Sequence, residues 1–272
     1  MKKLLLFTDL DGTLLDHNDY SWDAASPALQ LLQENDFPVV FVSSKTAVEI
    51  SRLKQLIGNV HPFIAENGAL ASIPRGYFNH VDTGENLDSH IFAKSYSDII
   101  SLLASLREHY LFKFIGFNDL SIEELVAITN LSVAQAQEAK QRQASEPLIW
   151  NDTAKALNEF KQQLAGQGLR VTAGGRFYHV MSDVDKGQAV QWLLQRYQQA
   201  EPDTQWVSIG LGDSFNDVKM LEVVDYPVFI SNSGTRQPEI KHIKNLQRPQ
   251  LPGPAGWNQA VLNLMTKILA RN

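Results

Sequence analysis

Apolar residues gather in short runs that stop abruptly at polar ones, and three of these runs organise the chain. Leu4-Leu5-Leu6-Phe7-Thr8 ends in Asp9-Leu10-Asp11-Gly12-Thr13. Phe37-Pro38-Val39-Val40-Phe41-Val42 ends in Ser43-Ser44-Lys45-Thr46, ahead of a stretch with Val48, Ile50, Leu53, Leu56 and Ile57 at helical spacing. Trp206-Val207-Ser208-Ile209-Gly210-Leu211 runs into Gly212-Asp213-Ser214-Phe215-Asn216-Asp217. Strand and helix patterns alternate up to about residue 83 and again from about 184, as a right-handed parallel α/β sheet requires. The middle reads differently. Ser95 to Tyr110 is an amphipathic helix carrying Ile99, Ile100, Leu102, Leu103 and Leu106, and Leu111 to Phe117 is a strand. Ser121-Ile122-Glu123-Glu124 has the form of a capping box opening a second helix, and Ser132 starts a third. Leu148 to Trp150 and Thr153 to Leu164 give a further strand and helix. Leu169 to Ala173 and Arg176 to Met181 flank Gly174-Gly175, a two-residue hairpin signal.

The polar ends of the runs carry the candidate chemistry. Asp9 and Asp11 are two residues apart where a strand ends, so both can project into one crevice. A hard dication would relieve their repulsion, and Mg2+ favours a few carboxylate oxygens together with waters and substrate phosphate. Aspartate also serves as a covalent nucleophile for phosphoryl groups. Gly12 allows a tight turn and Thr13 offers a hydroxyl, as a loop around a small anion needs. A plain surface turn is the alternative. An EF-hand is excluded, because counting from Asp9 the fourth position is Gly12, the sixth Leu14 and the twelfth Tyr20.

A second strand ending in acids changes the balance. In an open parallel sheet, ligands bind outside the carboxyl ends of the strands, so Asp213 can meet Asp9 as a third oxygen ligand. Asp217, at the start of a helix through Val218-Lys219-Met220-Leu221, can orient Asp213 or a metal-bound water, or simply favour the helix dipole. Ser43 occupies the strand-end position equivalent to Asp9 and is the phosphate candidate there; one of Ser44 and Thr46 is a helix N-cap. Lys186 starts a helix, where its charge opposes the dipole. Neutralising a nucleophilic carboxylate and a phosphate would explain it, and so would simple solvation.

Taken in order, Asp9-Leu10-Asp11-Gly12-Thr13, Ser43, Lys186, and Gly212-Asp213 with Asp217 resemble the four signature motifs of the haloacid dehalogenase-like phosphohydrolases. Ser43-Ser44-Lys45-Thr46, Ala65-Glu66-Asn67-Gly68-Ala69, Gly174-Gly175-Arg176-Phe177-Tyr178-His179 and Pro252-Gly253-Pro254-Ala255-Gly256-Trp257-Asn258 resemble, more narrowly, the mannosyl-3-phosphoglycerate phosphatase family. Phe215 departs from the proline expected there. The resemblance implies a Rossmann-like doubly wound parallel core of residues 1–83 and 184–272, with an α+β cap inserted at 84–183. It implies Asp9 as nucleophile, Asp11 as general acid and base, Ser43 and Lys186 as phosphate holders, and Mg2+ at Asp9, Asp213 and the Asp11 carbonyl, with Asp217 beside them. Lys45, Glu66, Asn67, Arg176 and Asn216 are the implied substrate contacts, the substrate being a small phosphorylated sugar. Arg176 suits a carboxylate clamp, with an exposed hairpin charge as the alternative. Asn67-Gly68 has turn chemistry of its own. Tyr178 and His179 alternate on a strand, so at most one of them faces substrate. A different sugar phosphate, a mutase reaction, or a silent binder on the same fold are the rival functions. Retention of Asp9, Asp11, Lys186 and Asp213 together argues against the silent binder.

Composition narrows the setting. A length of 272 residues suffices for one large or two modest domains. A formal charge of -6 argues against nucleic-acid or anionic-membrane partners. The absence of cysteine suits a reducing compartment. Leu4 to Phe7 is too short an apolar stretch for a signal-peptide core, and no run reaches membrane-spanning length, so a cytoplasmic location is expected. The sequons at Asn130 and Asn151 then read as chance matches. Charged residues at 20% give no ion-pair excess of the hyperthermophile kind.

Overall fold

The computed structural model describes residues 2–78, 89–173, 177–232 and 238–270. The first apolar run is β1 (Lys2–Thr8), and it lies within a seven-stranded sheet as the middle one of its five parallel strands. Its neighbours are β2 (Val39–Val42) on one side and β10 (Gln205–Gly212) on the other, both parallel. Side chains alternate across it: Leu4 and Leu6 enter one core and Leu5 and Phe7 the other, all four without solvent exposure. That is why the run reads as continuously apolar, and each side chain contributes about 1.5–3 kcal/mol relative to an exposed one.

Helices α1 (Ser26–Glu34), α2 (Ala47–Ile57) and α9 (Gly253–Leu269) cover the first face, and α7 (Lys186–Ala200) and α8 (Val218–Leu221) the second. The parallel order is completed by β3 (Phe63–Ala65) and β11 (Tyr226–Phe229). Beyond β3 the sheet turns antiparallel through β4 (Leu70–Ser72) and β5 (Ser89–Ile91). β5 is hydrogen-bonded into the core sheet, and the expected start of the cap at residue 84 lies outside the described residues. An edge strand of three residues, with side chains alternating between exposed and half-buried, carries too little apolar pattern to be read in advance.

The cap is a four-stranded antiparallel sheet in the order β6 (Phe114–Gly116), β7 (Ser145–Trp150), β9 (Tyr178–Ser182), β8 (Leu169–Ala173). Helices α3 (Tyr96–Tyr110) and α6 (Ala154–Ala165) pack on one face through Ile99, Leu103, Phe160 and Leu164. The short pair α4 (Ile122–Thr129) and α5 (Val133–Ala139) lies between β6 and β7 in sequence. Capping boxes at Ser121/Glu124 and Ser132/Gln135 open them, as the sequence pattern predicts. The expected strand at Leu111 is shorter, because Leu111 itself ends α3 in the left-handed conformation at φ 58°. Among the described residues no helix is long and apolar enough to cross a membrane.

Candidate active site

The three polar strand ends converge at the C-terminal edge of the core sheet. Asp9 extends the β1 ladder by one residue, its N–H donating to the Leu211 carbonyl at 2.9 Å. Beneath it, the buried Trp257 indole N–H donates to the Thr8 hydroxyl at 2.9 Å, and that hydroxyl donates to the Asp9 carbonyl at 2.7 Å. The Pro252-to-Asn258 motif is therefore a brace under Asp9, and Asn258 Oδ1 also accepts from the Ala28 N–H at 2.9 Å. Gly12 takes φ 80°, and a Cβ there would lie 2.6 Å from Asp213 Oδ2, so no other residue fits between the two acidic loops.

Lys186 enters from the first turn of α7, fully buried, with Nζ 2.6 Å from Asp9 Oδ1 and 2.6 Å from Asp217 Oδ1. The lysine that looked misplaced against the helix dipole is thus held by two carboxylates. Burial alone would lower its pKa, but the charges of Asp217 and Asp9 outweigh this and keep it protonated. Asp9 is raised well above the usual carboxylate range by burial and then by Asp217. Asp213 is pushed up to about 7 by the same two causes in the same order.

Three carboxylates, Asp9, Asp213 and Asp217, bring one oxygen each within 4.8 Å of one another, and the Lys186 ammonium contacts Asp9 and Asp217. The negative charge is under-compensated and every donor is a hard oxygen. Asp11 Oδ1, nearby, is buried without a hydrogen-bond partner. This donor set fits a small divalent cation.

Asp217, expected among the metal ligands, lies in this cluster and is also bonded to its neighbours. Its Oδ1 holds Lys186, and its Oδ2 accepts from the Asp213 N–H (3.1 Å), the Ser214 N–H (3.0 Å) and the Ser214 hydroxyl (2.9 Å). It shapes the loop that presents Asp213.

Asp11 pairs with Lys45 at 2.8 Å; burial would lower the Lys45 pKa, but Asp11 and Glu49 together outweigh it and raise the ammonium above its ordinary value. Ser43 is buried at the end of β2, with its N–H on the Ile64 carbonyl and its Oγ accepting from the Lys45 N–H. Thr46, not Ser44, is the N-cap of α2, completing a capping box with Glu49. Asn67 joins the site: its N–H donates to the Ser43 carbonyl at 2.9 Å, and its Oδ1 accepts from Asn216 Nδ2 at 2.8 Å.

Glu66, an expected substrate contact, is fully buried, and its carboxylate accepts from Gln143, Ala144 and Ser145 of the cap. Arg176 lies outside the described residues, as do Gly174 and Gly175. Of the alternating pair on β9, Tyr178 packs into the cap core; His179 takes the opposite face. Burial pushes the His179 imidazole down to about 3, and its Nδ1 is buried without a partner.

Asn232 was not anticipated from the sequence. Its Nδ2 donates to the Gly12 carbonyl and to Asp213 Oδ2, both at 2.8 Å, so it ties the two acidic loops together. The signal was present: it follows the apolar run of β11, one more strand ending in polar residues.

A sequence profile described as haloacid dehalogenase-like hydrolase matches residues 6–244. A glucosyl-3-phosphoglycerate/mannosyl-3-phosphoglycerate phosphatase of Methanococcoides burtonii is 38% identical over 275 residues, covering 97% of this chain and 98% of the relative. The protein of the same description from Persephonella marina is 35% identical over 269 residues, with the same coverage. Among solved structures, the sucrose-phosphatase of Synechocystis in complex with sucrose and phosphate aligns with a TM-score of 0.62 at 17% identity, covering 97% of this chain and 98% of the other. A Thermoplasma acidophilum protein aligns at 0.67 and 17%, again over 97% and 98%. At these identities the solved structures speak to the fold alone.

Proposed function

The chain belongs to the haloacid dehalogenase-like hydrolases and is a phosphoric monoester hydrolase, and from that premise we propose that it hydrolyses mannosyl-3-phosphoglycerate to mannosylglycerate and phosphate with the help of Mg2+. The observation that carries the chemistry is the buried Asp9–Lys186–Asp217 triad beside Asp213 and Asp11. Support for the substrate comes from the two relatives named as glucosyl-3-phosphoglycerate/mannosyl-3-phosphoglycerate phosphatases and from the sequence motifs that resemble that family.

Mg2+ held by Asp9, Asp213 and the Asp11 carbonyl would neutralise charge on the phosphate oxygens and on the attacking carboxylate. The residues do the rest. An Asp9 carboxylate oxygen attacks phosphorus, and the bond from phosphorus to the glycerate oxygen breaks. Asp11 delivers its proton to that leaving oxygen. Ser43 and Lys186 hold the transferred group while Asp11 takes a proton from water, which attacks the phosphorus on Asp9. Phosphate leaves and both aspartates return to their starting states.

Lys45 holds Asp11, and arrival of a phosphate gives its ammonium a second anion to pair with. Arg176 is the proposed clamp for the glycerate carboxylate. Arg176→Ala should lower kcat/KM on the phosphoglycerate substrate by about tenfold to a hundredfold, a charge-assisted contact of roughly 1.5–3 kcal/mol, and spare an aryl phosphate. The charge of -6, the lack of cysteine and the absence of any membrane-length apolar run support a cytoplasmic setting.

Phosphate release from mannosyl- and glucosyl-3-phosphoglycerate, sucrose phosphate and hexose phosphates tests the reading. Preference for the mannosyl compound supports it. Preference for a glucosyl or unrelated sugar phosphate replaces the substrate, and an isomerised sugar phosphate in place of free phosphate makes the protein a mutase. Asp11→Asn should lose nearly all turnover, with the residual activity greatest on aryl phosphates whose leaving groups need no proton, and equal loss on good and poor leaving groups would remove Asp11 from the acid role.

A further inference from the structure

Glu66 is a fully buried carboxylate that takes no part in the phosphoryl chemistry, and its surroundings belong to the other domain. From the loop after β3 it enters the cap, accepting from the Gln143 N–H at 2.7 Å, the Ala144 N–H at 3.1 Å and the Ser145 hydroxyl at 2.6 Å. The Arg142 guanidinium lies 3.6 Å away. Arg142 reaches in the opposite direction. Also buried, it donates from Nη2 to the Ser44 carbonyl of the core at 2.8 Å and from Nε to the Ser145 carbonyl at 3.0 Å. Two buried ionic side chains therefore cross the same domain boundary, one from each side.

The loop that carries Glu66 is unusual in its backbone. Glu66, Asn67 and Gly68 all take positive φ, at 50°, 58° and 98°. A Cβ on Gly68 would lie 2.2 Å from the Asp185 carbonyl oxygen, so this loop presses directly on the start of α7, where Lys186 is held. Its backbone is pinned to Lys45 and Ser43, and Asn67 is bonded to Asn216. The cap-facing carboxylate thus grows from the segment that touches the phosphate-holding residues. Next to it, Met181 of β9 packs against Ala69. Ser145 and Met181 are cross-strand partners, so this face of the cap sheet, which also carries Pro147, His179 and Thr172, is the one turned to the core.

We propose that Glu66 and Arg142 form an interdomain latch that seats the cap over the phosphate site, which makes Glu66 a positioning residue for substrates long enough to reach the cap. This rests on the proposed function in one respect, the length of the substrate. Loosening the latch lowers the fraction of molecules with a seated cap, and a ligand that needs the seated form then binds with an apparent dissociation constant equal to the intrinsic one divided by that fraction. The outer contacts, the Arg52–Glu138 pair at 2.9 Å and the Thr46 hydroxyl on the Glu138 carbonyl at 3.1 Å, keep the domains associated.

The test compares the parent with Glu66→Gln, Arg142→Met and the double variant. Steady-state kinetics on mannosyl-3-phosphoglycerate and on p-nitrophenyl phosphate are read beside melting temperature and amide exchange at Gln143 and Ala144. KM for the glycosyl substrate should rise about tenfold with kcat within about twofold, and the small substrate should change by less than about threefold. The double variant should be little worse than either single one, since each already opens the latch. Exchange at the two amides should accelerate in Glu66→Gln. Equal losses on both substrates, a fall in kcat at constant KM, or additive effects would each overturn the latch. If the parent fails to hydrolyse the glycosyl phosphoglycerate, the substrate assignment falls separately, and unchanged exchange at Gln143 and Ala144 would then reject the latch. Should Glu66→Gln not fold, Arg142→Lys, which keeps the charge but cannot span both Ser44 and Ser145, carries the same comparison.

Discussion

Core and cap place their conspicuous polar side chains by opposite rules. In the core, Asp9, Lys186 and Asp217 stand at strand ends or a helix start and are withdrawn from solvent, crowded with like charge. In the cap, Ser95, Ser121, Ser132 and Thr153 stand at helix starts on the surface, each accepting an N–H three residues on, at 3.1–3.3 Å. The first set costs folding energy and is useful to chemistry. The second stabilises helices and is replaceable.

The sharpest probe of that contrast is Asp9→Asn. Turnover should fall on the order of a thousandfold or more, because the amide cannot attack phosphorus. Melting temperature should hold or rise, since one of three crowded carboxylates is gone. A large loss of stability in a thermal melt would break the contrast.

Lys186→Met should damage both properties. Removing the ammonium leaves Asp9 and Asp217 buried without their partner, at a cost of about 3–5 kcal/mol in urea unfolding, and activity should disappear with it. Adding Asp217→Asn to that variant should recover part of the stability and none of the activity.

The metal gives a pH-dependent probe. The folded pKa of Asp213 is raised to about 7 by burial and by Asp217, above the ordinary value near 3.9. Its contribution to stability is therefore fully present below that ordinary value and is lost as pH rises through about 7. The metal-free protein should be less stable at pH 8 than at pH 5. Mg2+, which favours the ionised carboxylates, should raise the melting temperature more at pH 8. An equal rise at both pH values, or activity that survives a chelator, would count against the site.

The mildest effect belongs to the cap. Ser121→Ala removes the side chain that accepts the Glu124 N–H and should cost about 1 kcal/mol of stability, with kcat unchanged. A measurable drop in kcat would show that cap helices and catalysis are more tightly joined than the contrast allows.

Much of this could be read before any coordinates, and the residues explain why. A strand buried on both faces must be apolar throughout, so its polar terminus is conspicuous, and Asp9, Ser43 and Asp213 announced themselves in that way. Capping boxes are local, and Ser121 and Ser132 were legible for that reason. Glu66 was not: a glutamate before Asn67-Gly68 reads as turn chemistry or a sugar ligand, and nothing nearby in sequence points to its partners at 142–145. Asn232 carried the same strand-end signature as Asp9 and Asp213 but lacked a charge to draw notice.

What the sequence determined alone is therefore what nearest neighbours in the chain determine: strand periodicity, helix starts, and the residue types at strand ends. The tertiary structure decided whatever depends on segments far apart in the chain. It set the pairing of Lys186 with Asp9 and Asp217, the crossing of Glu66 and Arg142 between domains, and the membership of β5 in the core sheet. The physical reason is that hydrogen-bond and charge complementarity act over a few ångströms of space and leave no periodic trace along the chain, whereas burial on a repeating backbone does.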